Sequence, residues 1–167
     1  MKIRLFSMLF TLALAMVLPR PLVAQVYETI SNKLSDKCLE PVSTVAGAAI
    51  LIQPCSNLPI QQWTEVNVKS TYVHYMNQFT KMCLDARGGA QNHTPVQLWP
   101  CDQISNEYWV PNKTYNVNSP VLTSGVANSY PKFCLDLPSG LTNAGITLQI
   151  YECNGTPAQQ WTWAGSL

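Results

Sequence analysis

The chain has 167 residues, of which 47% are hydrophobic and only 11% are charged. Ten Lys and Arg residues balance nine Asp and Glu residues, and the sequence contains no basic run. This balance argues against nucleic acid and against an anionic membrane surface as partners, because both are bound through clustered positive charge.

Residues 1–24 are typical of a secretory signal peptide. Lys2 and Arg4 precede an apolar run at residues 5–18, and Ala24 supplies a small residue before the expected cleavage site. The run is shorter than the ~20 residues that cross a bilayer, so we expect no membrane insertion. We therefore expect an extracellular protein, or a periplasmic one in a bacterium.

The remaining residues, 25–167, are enough for one domain with its own core. Loss of Lys2, Arg4 and Arg20 reduces the ten basic residues to seven against nine acidic ones, so the mature chain has a formal charge near −2. It is rich in Asn, Gln, Ser and Thr. This composition suits a surface that recognises neutral ligands.

One signature with five landmarks occurs three times in the mature chain. An Asn is followed six residues later by Cys-Leu-acid, then by a second Cys, and eight residues after that by a Trp. The three copies are Asn32, Cys38-Leu39-Glu40, Cys55 and Trp63; Asn77, Cys83-Leu84-Asp85, Cys101 and Trp109; and Asn128, Cys134-Leu135-Asp136, Cys153 and Trp161. Three units of this size, none able to bury its own apolar face, predict a closed domain with pseudo-threefold symmetry.

The repeats span approximately residues 27–70, 71–116 and 117–167. Six additional residues separate the second and third copies, and they predict a surface loop around residues 117–131. Apolar and polar residues alternate over short runs between turn residues, which indicates an all-β fold.

The six cysteines are expected to form disulfides in an oxidising compartment. Six cysteines allow 15 pairings, and the repeat selects one cross-link per copy, namely Cys38–Cys55, Cys83–Cys101 and Cys134–Cys153. Each such loop is worth ~3 kcal/mol in the chain-entropy account. No Cys-x-x-Cys occurs, and His74 and His93 are the only imidazoles, so we expect no metal site and no cofactor.

Three matching strands are predicted, one per copy, at residues 50–53, 96–99 and 146–151. Because successive side chains of a strand point to opposite faces, one set is expected inward, namely Val96, Leu98, Ile146, Leu148 and Ile150. The other set is expected outward on the polar face, namely Gln97, Trp99, Thr147, Gln149 and Tyr151. A Gln beside a large aromatic on a polar face is unusual for a core and indicates a binding surface.

These motifs resemble those of the ricin-B-type β-trefoil lectins, the Q-x-W repeat family. The second copy carries Cys83-Leu84-Asp85, Gln97-Leu98-Trp99-Pro100-Cys101 and Asn106-Glu107-Tyr108-Trp109. The third carries Cys134-Leu135-Asp136, Gln149-Ile150-Tyr151-Glu152-Cys153 and Gln159-Gln160-Trp161. The resemblance implies a twelve-stranded β-trefoil that binds sugar, with at most one shallow site per lobe.

The resemblance also implies which residues do what. Trp63, Trp109 and Trp161 are expected in the core. The candidate carbohydrate-binding residues are Asp85, Gln97, Trp99, Asn106, Glu107, Asp136, Gln149, Tyr151 and Gln159. A carboxylate accepts hydrogen bonds from neighbouring hydroxyls, an amide both donates and accepts, and an aromatic face covers the apolar side of a sugar ring.

The three copies are unequal as binding sites. The second is the most complete, but Glu107 stands where the family has Gln; if it reaches Asp85, two carboxylates compete, and pH-dependent binding is expected. The third has Ala158 in place of the Asn, which removes one hydrogen-bonding partner. The first has Glu40, Leu51, Gln53 and Ile60 at the four positions, and we interpret it as structural only.

Alternatives remain open on the sequence alone. Asp85 and Asp136 could instead cap turns through backbone N–H groups. Asp85 with Glu107 could on paper hydrolyse glycosides, but no room remains for a catalytic domain, so we expect no enzyme. A third possibility is the non-catalytic binding subunit of a toxin or enzyme complex, with a separate effector chain, or a trefoil-type inhibitor acting through residues 117–131. Glycans or glycoconjugates are the favoured partners.

Overall fold

The computed structural model describes residues 25–69, 72–89, 91–102, 104–112, 121–124 and 133–163. The signal peptide predicted at residues 1–24 lies outside this set. So does Asn128, the first landmark of the third copy. Within the described residues, no helix has the length and apolar character needed to span a membrane.

The described residues form twelve short strands and four single-turn 3-10 helices. The strands are β1 (Glu28–Asn32), β2 (Lys37–Pro41), β3 (Ile50–Pro54), β4 (Gln62–Lys69), β5 (Tyr72–Asn77), β6 (Cys83–Ala86), β7 (Thr94–Trp99), β8 (Trp109–Asn112), β9 (Val121–Ser124), β10 (Phe133–Asp136), β11 (Gln149–Glu152) and β12 (Trp161–Trp163). The 3-10 helices are Pro59–Gln61, Ser105–Glu107, Pro138–Gly140 and Pro157–Gln159.

The strands pair in a threefold pattern. Strands β12, β1, β4, β5, β8 and β9 are antiparallel neighbours in that order. Each repeat adds a hairpin, β2–β3, β6–β7 or β10–β11. The three hairpins meet one another through the β7–β11 pairing and two isolated bridges, Ala49–Gln97 and Leu51–Thr147. The all-β trefoil expected from the repeats is confirmed.

The three repeated tryptophans occupy the centre of the core, as predicted. Trp63, Trp109 and Trp161 have no exposed surface. Each indole N–H donates to the carbonyl of the Leu in its own Cys-Leu-acid motif, at 3.3, 2.8 and 3.0 Å respectively. Because a buried indole N–H needs a partner, this bond explains why Cys-Leu-acid and Trp recur together.

In the two copies whose repeated Asn the structure describes, this residue joins its repeat to a neighbouring one. The Asn77 amide donates to the carbonyls of Ile60 and Gln62, and its oxygen accepts the N–H groups of Phe79 and Thr80. Asn32 makes the corresponding bonds, donating to the carbonyls of 158 and 160 and accepting the N–H groups of 34 and 35. The repeated Asn is therefore a buried residue whose side chain hydrogen-bonds the backbone of two segments.

The three predicted disulfides are confirmed. They join Cys38 to Cys55, Cys83 to Cys101 and Cys134 to Cys153, closing loops with sequence separations of 17, 18 and 19 residues. Each bridge joins the start of a hairpin to a Cys that lies one or two residues beyond the end of its return strand.

Two sequence-based expectations need correction. The strand expected at residues 146–151 begins only at Gln149, because the preceding segment bonds across to the first repeat: Gly145 donates to the carbonyl of Ile52, and Leu148 to that of Ile50. The loop expected at residues 117–131 contains strand β9, which pairs with β8 and β10. The rest of that predicted loop lies outside the described residues.

Candidate functional site

In the second and third repeats, the acid of Cys-Leu-Asp faces a Gln across its hairpin. Asp85 is opposite Gln97, and Asp136 is opposite Gln149. Gln97 Nε2 donates to Asp85 Oδ1 at 2.7 Å, and Gln149 Nε2 donates to Asp136 Oδ2 at 2.8 Å. In the first repeat the corresponding pair is Glu40 and Leu51, so no amide faces the acid across that hairpin.

The expectation that Gln97 and Gln149 are exposed on the polar face is wrong. The side of each strand is as predicted, but the two residues are only 8% and 9% exposed. Each amide lies over the neighbouring carboxylate, which is itself buried and needs a donor. The inward residues Val96, Leu98, Leu148 and Ile150 are buried as predicted, and Ile146 packs against the core half-buried.

Neither aspartate caps a turn. No backbone N–H within the described ranges donates to Asp85 or Asp136; their hydrogen bonds come from glutamine side chains. Burial raises the pKa of both carboxyls, while the bonds from Gln97 and Gln149 lower it. Buried acceptors held by side-chain amides are costly for a fold and are typical of binding sites.

In the first and third repeats, the Gln that begins the Q-x-W motif lies next to the acid of the Cys-Leu-acid motif. The Gln61 oxygen accepts the Ser56 N–H, and its amide donates to Glu40 Oε2 at 2.6 Å. Gln159 likewise accepts the Asn154 N–H, its amide donates to the Glu152 carbonyl at 3.0 Å, and its side chain lowers the pKa of Asp136. An amide can do both because it carries a donor and an acceptor.

The second repeat departs from this arrangement because Glu107 replaces the Gln. Glu107 Oε2 accepts the Asp102 N–H at 3.1 Å, as the Gln oxygens do, and lies 3.7 Å from Nε2 of the buried His74. A Glu side chain, unlike the Gln amide, has no N–H to offer Asp85. Among the described residues, no donor reaches the buried Asp85 Oδ2.

The aromatic side chains that are candidates for sugar binding lie beside these acids. Trp99, at the end of β7, is 37% exposed, and Tyr151 on β11 is half-buried. The equivalent residue of the first repeat is Gln53, which offers no ring. Asn106 is half-buried on the 3-10 helix Ser105–Glu107, whereas its third-repeat counterpart, Ala158, is buried and apolar.

A cavity of about 460 Å³ opens on the third repeat. Asp136, Gln149, Tyr151 and Ala158 line it, so the structure brings most of the predicted third-repeat residues to one concave surface. Two lining residues, Leu34 and His93, come from the first and second repeats. Sequence reasoning within single repeats missed both, because it considered each copy as a separate site.

His74 lies beside the disulfide of the second repeat, its nitrogen within 4.8 Å of the sulfurs of Cys83 and Cys101. Because these sulfurs are bonded to each other, they are not thiolates, and thiolates are what zinc binds. The cluster therefore has one conventional ligand, and burial lowers the pKa of that imidazole.

The second-repeat site is expected to lose affinity in acid. Ligand hydroxyls donate to an ionised Asp85, and burial, with the nearby charge of Asp102, raises the pKa of that carboxyl. Binding should therefore be complete above this raised pKa and be lost as pH falls through it. In Glu107→Gln the new amide gives Asp85 the donor seen in the first repeat, so its pKa falls and the loss moves to lower pH.

The measurement is a glycan titration from acid to neutral pH, with both proteins carrying Asp136→Asn to silence the third repeat. Identical pH profiles for the two proteins would sink this explanation.

The comparisons with known proteins agree with the fold. Residues 26–161 match the family described as the ricin-type beta-trefoil lectin domain. None of the curated proteins compared with the chain matches it significantly. Among solved structures, the chain is similar to the designed threefold-symmetric protein ThreeFoil, with 21% identity, a TM-score of 0.76 and coverage of 82% of this chain and 96% of that one.

Two natural proteins are also similar in structure. One is a ricin B-like lectin of Macrolepiota procera in complex with lactose, with 18% identity, a TM-score of 0.70 and coverage of 86% and 98%. The other is a mosquitocidal holotoxin, with 18% identity, a TM-score of 0.74 and coverage of 85% of this chain but 17% of that one. The family match spans nearly all of the predicted mature chain, and the protein belongs to the ricin-type β-trefoil lectin domain family.

Proposed function

We propose that the protein is a secreted lectin that binds neutral glycans through the third-repeat cavity and through the Trp99 face of the second repeat. The observation that carries the proposal is the Asp136 carboxylate, held by Gln149 at a cavity that Tyr151 also lines. The first repeat keeps the scaffold and contributes no comparable site.

The arrangement supplies what a sugar ring requires. Asp136 and Asp85 accept hydrogen bonds from ring hydroxyls, and charge-assisted bonds of this kind are about twice as strong as neutral ones. Tyr151 and Trp99 offer faces for the apolar C–H side of the ring. A negatively charged ligand is disfavoured, because both sites are built around a carboxylate.

The two sites are open and small, so affinity for a single ring is expected to be weak. Two sites on one rigid chain strengthen binding to a surface that presents many glycans. Once one site is occupied, the effective concentration of glycan at the other site is raised. We propose that strength of binding comes from this multivalency.

Hydrolysis is disfavoured by the position of Glu107. Its side chain has no exposed surface, whereas a glycosidase presents both of its carboxyls to the scissile bond. We propose a non-catalytic protein, as expected from the sequence.

A second candidate is a glycan-binding subunit or domain that delivers a separate effector. The similarity to a holotoxin of which this fold forms only 17% favours it. In that case the glycan chemistry is unchanged, and a partner chain would co-purify with the native protein from its source.

A glycan array tests the proposal, with the mature protein and its Trp99→Ala variant. We expect binding to a set of neutral glycans, with a smaller set or weaker signals for the variant because one of two sites is lost. Failure of the wild-type protein to bind any glycan would contradict the lectin function and favour the inhibitor alternative.

A further inference from the structure

One position in the hairpin loops distinguishes the second repeat from the other two. Eight residues before the second Cys, the first and third repeats have Gly47 and Gly145, and the second has His93. The backbone is the same at all three, with φ of +85°, +86° and +67°. This left-handed region suits glycine and costs other residues of order 1 kcal/mol or more.

The three positions also contact the next repeat in the same way. The N–H of Gly47 donates to the Leu98 carbonyl, that of His93 to the Ile150 carbonyl, and that of Gly145 to the Ile52 carbonyl, at 2.7, 3.0 and 2.8 Å. In each case the acceptor immediately precedes the aromatic position of the neighbouring repeat. A side chain at this position is therefore directed at the neighbour's sugar-binding face.

Two of the three positions bear out this geometry, whereas a Cβ added at Gly145 would meet nothing within 4 Å. A Cβ added at Gly47 would lie 4.0 Å from Cζ3 of Trp99, the aromatic of the second repeat. The His93 ring lies 5.0 Å from the ring of Tyr151, the aromatic of the third repeat, with an edge-on tilt of 62°. Only the second repeat places a functional group there.

The imidazole of His93 joins the hydrogen-bonded chain that holds Asp136. Its Nδ1 lies 3.1 Å from Gln149 Oε1, and Gln149 Nε2 donates to Asp136 Oδ2. An ionised carboxylate only accepts, so the amide nitrogen must face Asp136 and the amide oxygen must face His93. The proton of the neutral imidazole is thereby placed on Nδ1, which leaves Nε2 as an acceptor.

His93 also compensates for the residue that the third repeat lacks. Ala158 stands where the second repeat has Asn106, and it lines the same cavity as His93. The loop that carries His93 is fixed to the third repeat by a further bond, in which Asn92 Oδ1 accepts the Glu152 N–H at 2.7 Å. A strained residue held this firmly at a cavity indicates selection for its side chain.

We propose that His93 is a specificity-determining residue of the third-repeat cavity, supplied by the second repeat. It orients Tyr151 and Gln149, and its Nε2 accepts a hydroxyl of a neutral sugar whose second hydroxyl donates to Asp136. This inference rests on the proposed lectin function and deepens it, because the cavity then selects rings with two suitably placed hydroxyl donors.

Glycan arrays of four proteins test the inference: wild type, Trp99→Ala, Trp99→Ala with His93→Gly, and Trp99→Ala with His93→Asn. Glycine is the residue of the other two repeats and relieves the left-handed strain, so His93→Gly should fold with a melting temperature no lower than that of its parent. We expect Trp99→Ala to retain a set of neutral glycans. Adding His93→Gly should weaken the signals about tenfold, the worth of one net hydrogen bond, and change the selectivity among them.

Asn tolerates the left-handed backbone and restores an amide near the site, so His93→Asn should fall between the other two. Equal strength and selectivity with and without His93 would overturn the inference while leaving the lectin function intact. Binding by wild type but none by Trp99→Ala would also overturn it, since the third cavity would then not be a site. No binding by wild type would remove the proposed function and the inference together.

Discussion

Asp136→Asn and Asp85→Asn are each expected to remove binding at their own site and to change stability in opposite directions. An ionised acceptor contributes about 1.5–3 kcal/mol per hydrogen bond, so the affinity of the altered site should fall about 10- to 100-fold. The double variant should lose glycan binding altogether.

The opposite stability changes follow from the partners of the two carboxylates. Asp136 Oδ2 accepts from Gln149, and the Gln159 side chain also lowers the pKa of this carboxyl. An Asn there can turn an amide N–H toward the amide N–H of Gln149, and the folded state should lose ~1–2 kcal/mol. Asp85 Oδ2 receives no donor from the described residues, so an Asn at position 85 removes a buried charge without breaking a hydrogen bond at that oxygen.

The pH dependence of the melting temperature distinguishes the loss of hydrogen bonds at position 136 from the removal of a buried charge at position 85. Burial raises the pKa of Asp85, so its ionised form is disfavoured in the folded state. That cost is present above the folded pKa and disappears as pH falls through it. Asp85→Asn should therefore raise the melting temperature at neutral pH and show a smaller gain in acid.

The measurements are calorimetric binding, with the neutral glycan most strongly bound on the array, and thermal unfolding at neutral and acid pH. Glu40→Gln in the first repeat is the matched control and should leave binding unchanged. A loss of stability in Asp85→Asn with binding retained would show that Asp85 has a structural role after all.

Trp109→Ala and Trp99→Ala are expected to separate the two roles of tryptophan within one repeat. Trp109 is completely buried and its indole donates to the Leu84 carbonyl, so its truncation should cost ~3–5 kcal/mol of unfolding free energy. Trp99 is 37% exposed. Its truncation should cost under ~1 kcal/mol but weaken the second site about tenfold.

Chemical denaturation and binding measurements on the same preparations check this pair. If Trp109→Ala does not accumulate, Trp109→Phe keeps most of the volume and should cost less while sparing the sugar site. A Trp99→Ala protein that unfolds as readily as the Trp109 variants would contradict the division between scaffold and binding face.

The fold followed from the sequence because its determinants are repeated. Asn77 clamps backbone groups, Trp109 bonds to the Leu84 carbonyl, and Cys83 pairs with Cys101; each contact joins residues at fixed offsets in the repeat. Repetition makes such offsets visible in one sequence. Segment boundaries were less predictable, because residues 145–148 bond to the first repeat rather than extending their own strand.

The candidate site was predictable only in part, since a site between repeats has no fixed offset. The pairing of each Asp with the Gln across its hairpin lies within one repeat, and the motif named both members. His93 reaches the third-repeat cavity from the second repeat, and comparing single copies does not reveal this. A signal does exist in the sequence: His stands where the two other copies have Gly.

Gln97 is buried although strand alternation predicts that it is exposed. Strand periodicity predicts the face of the sheet on which a side chain lies, but not whether other groups cover that side chain. The Gln97 amide donates to the buried Asp85 carboxylate and is therefore buried with it. Side-chain hydrogen bonding decided the exposure of this residue.

The central claim is that the chain repeats its scaffold three times and its glycan-binding chemistry twice. The most direct test is a nuclear magnetic resonance titration of the mature protein with the best array ligand, following side-chain signals in each repeat. We predict that the Trp99 indole N–H and the Gln149 amide shift on binding, while the Gln53 amide of the first repeat does not. A shift at Gln53, or no shift at either Trp99 or Gln149, would contradict the account.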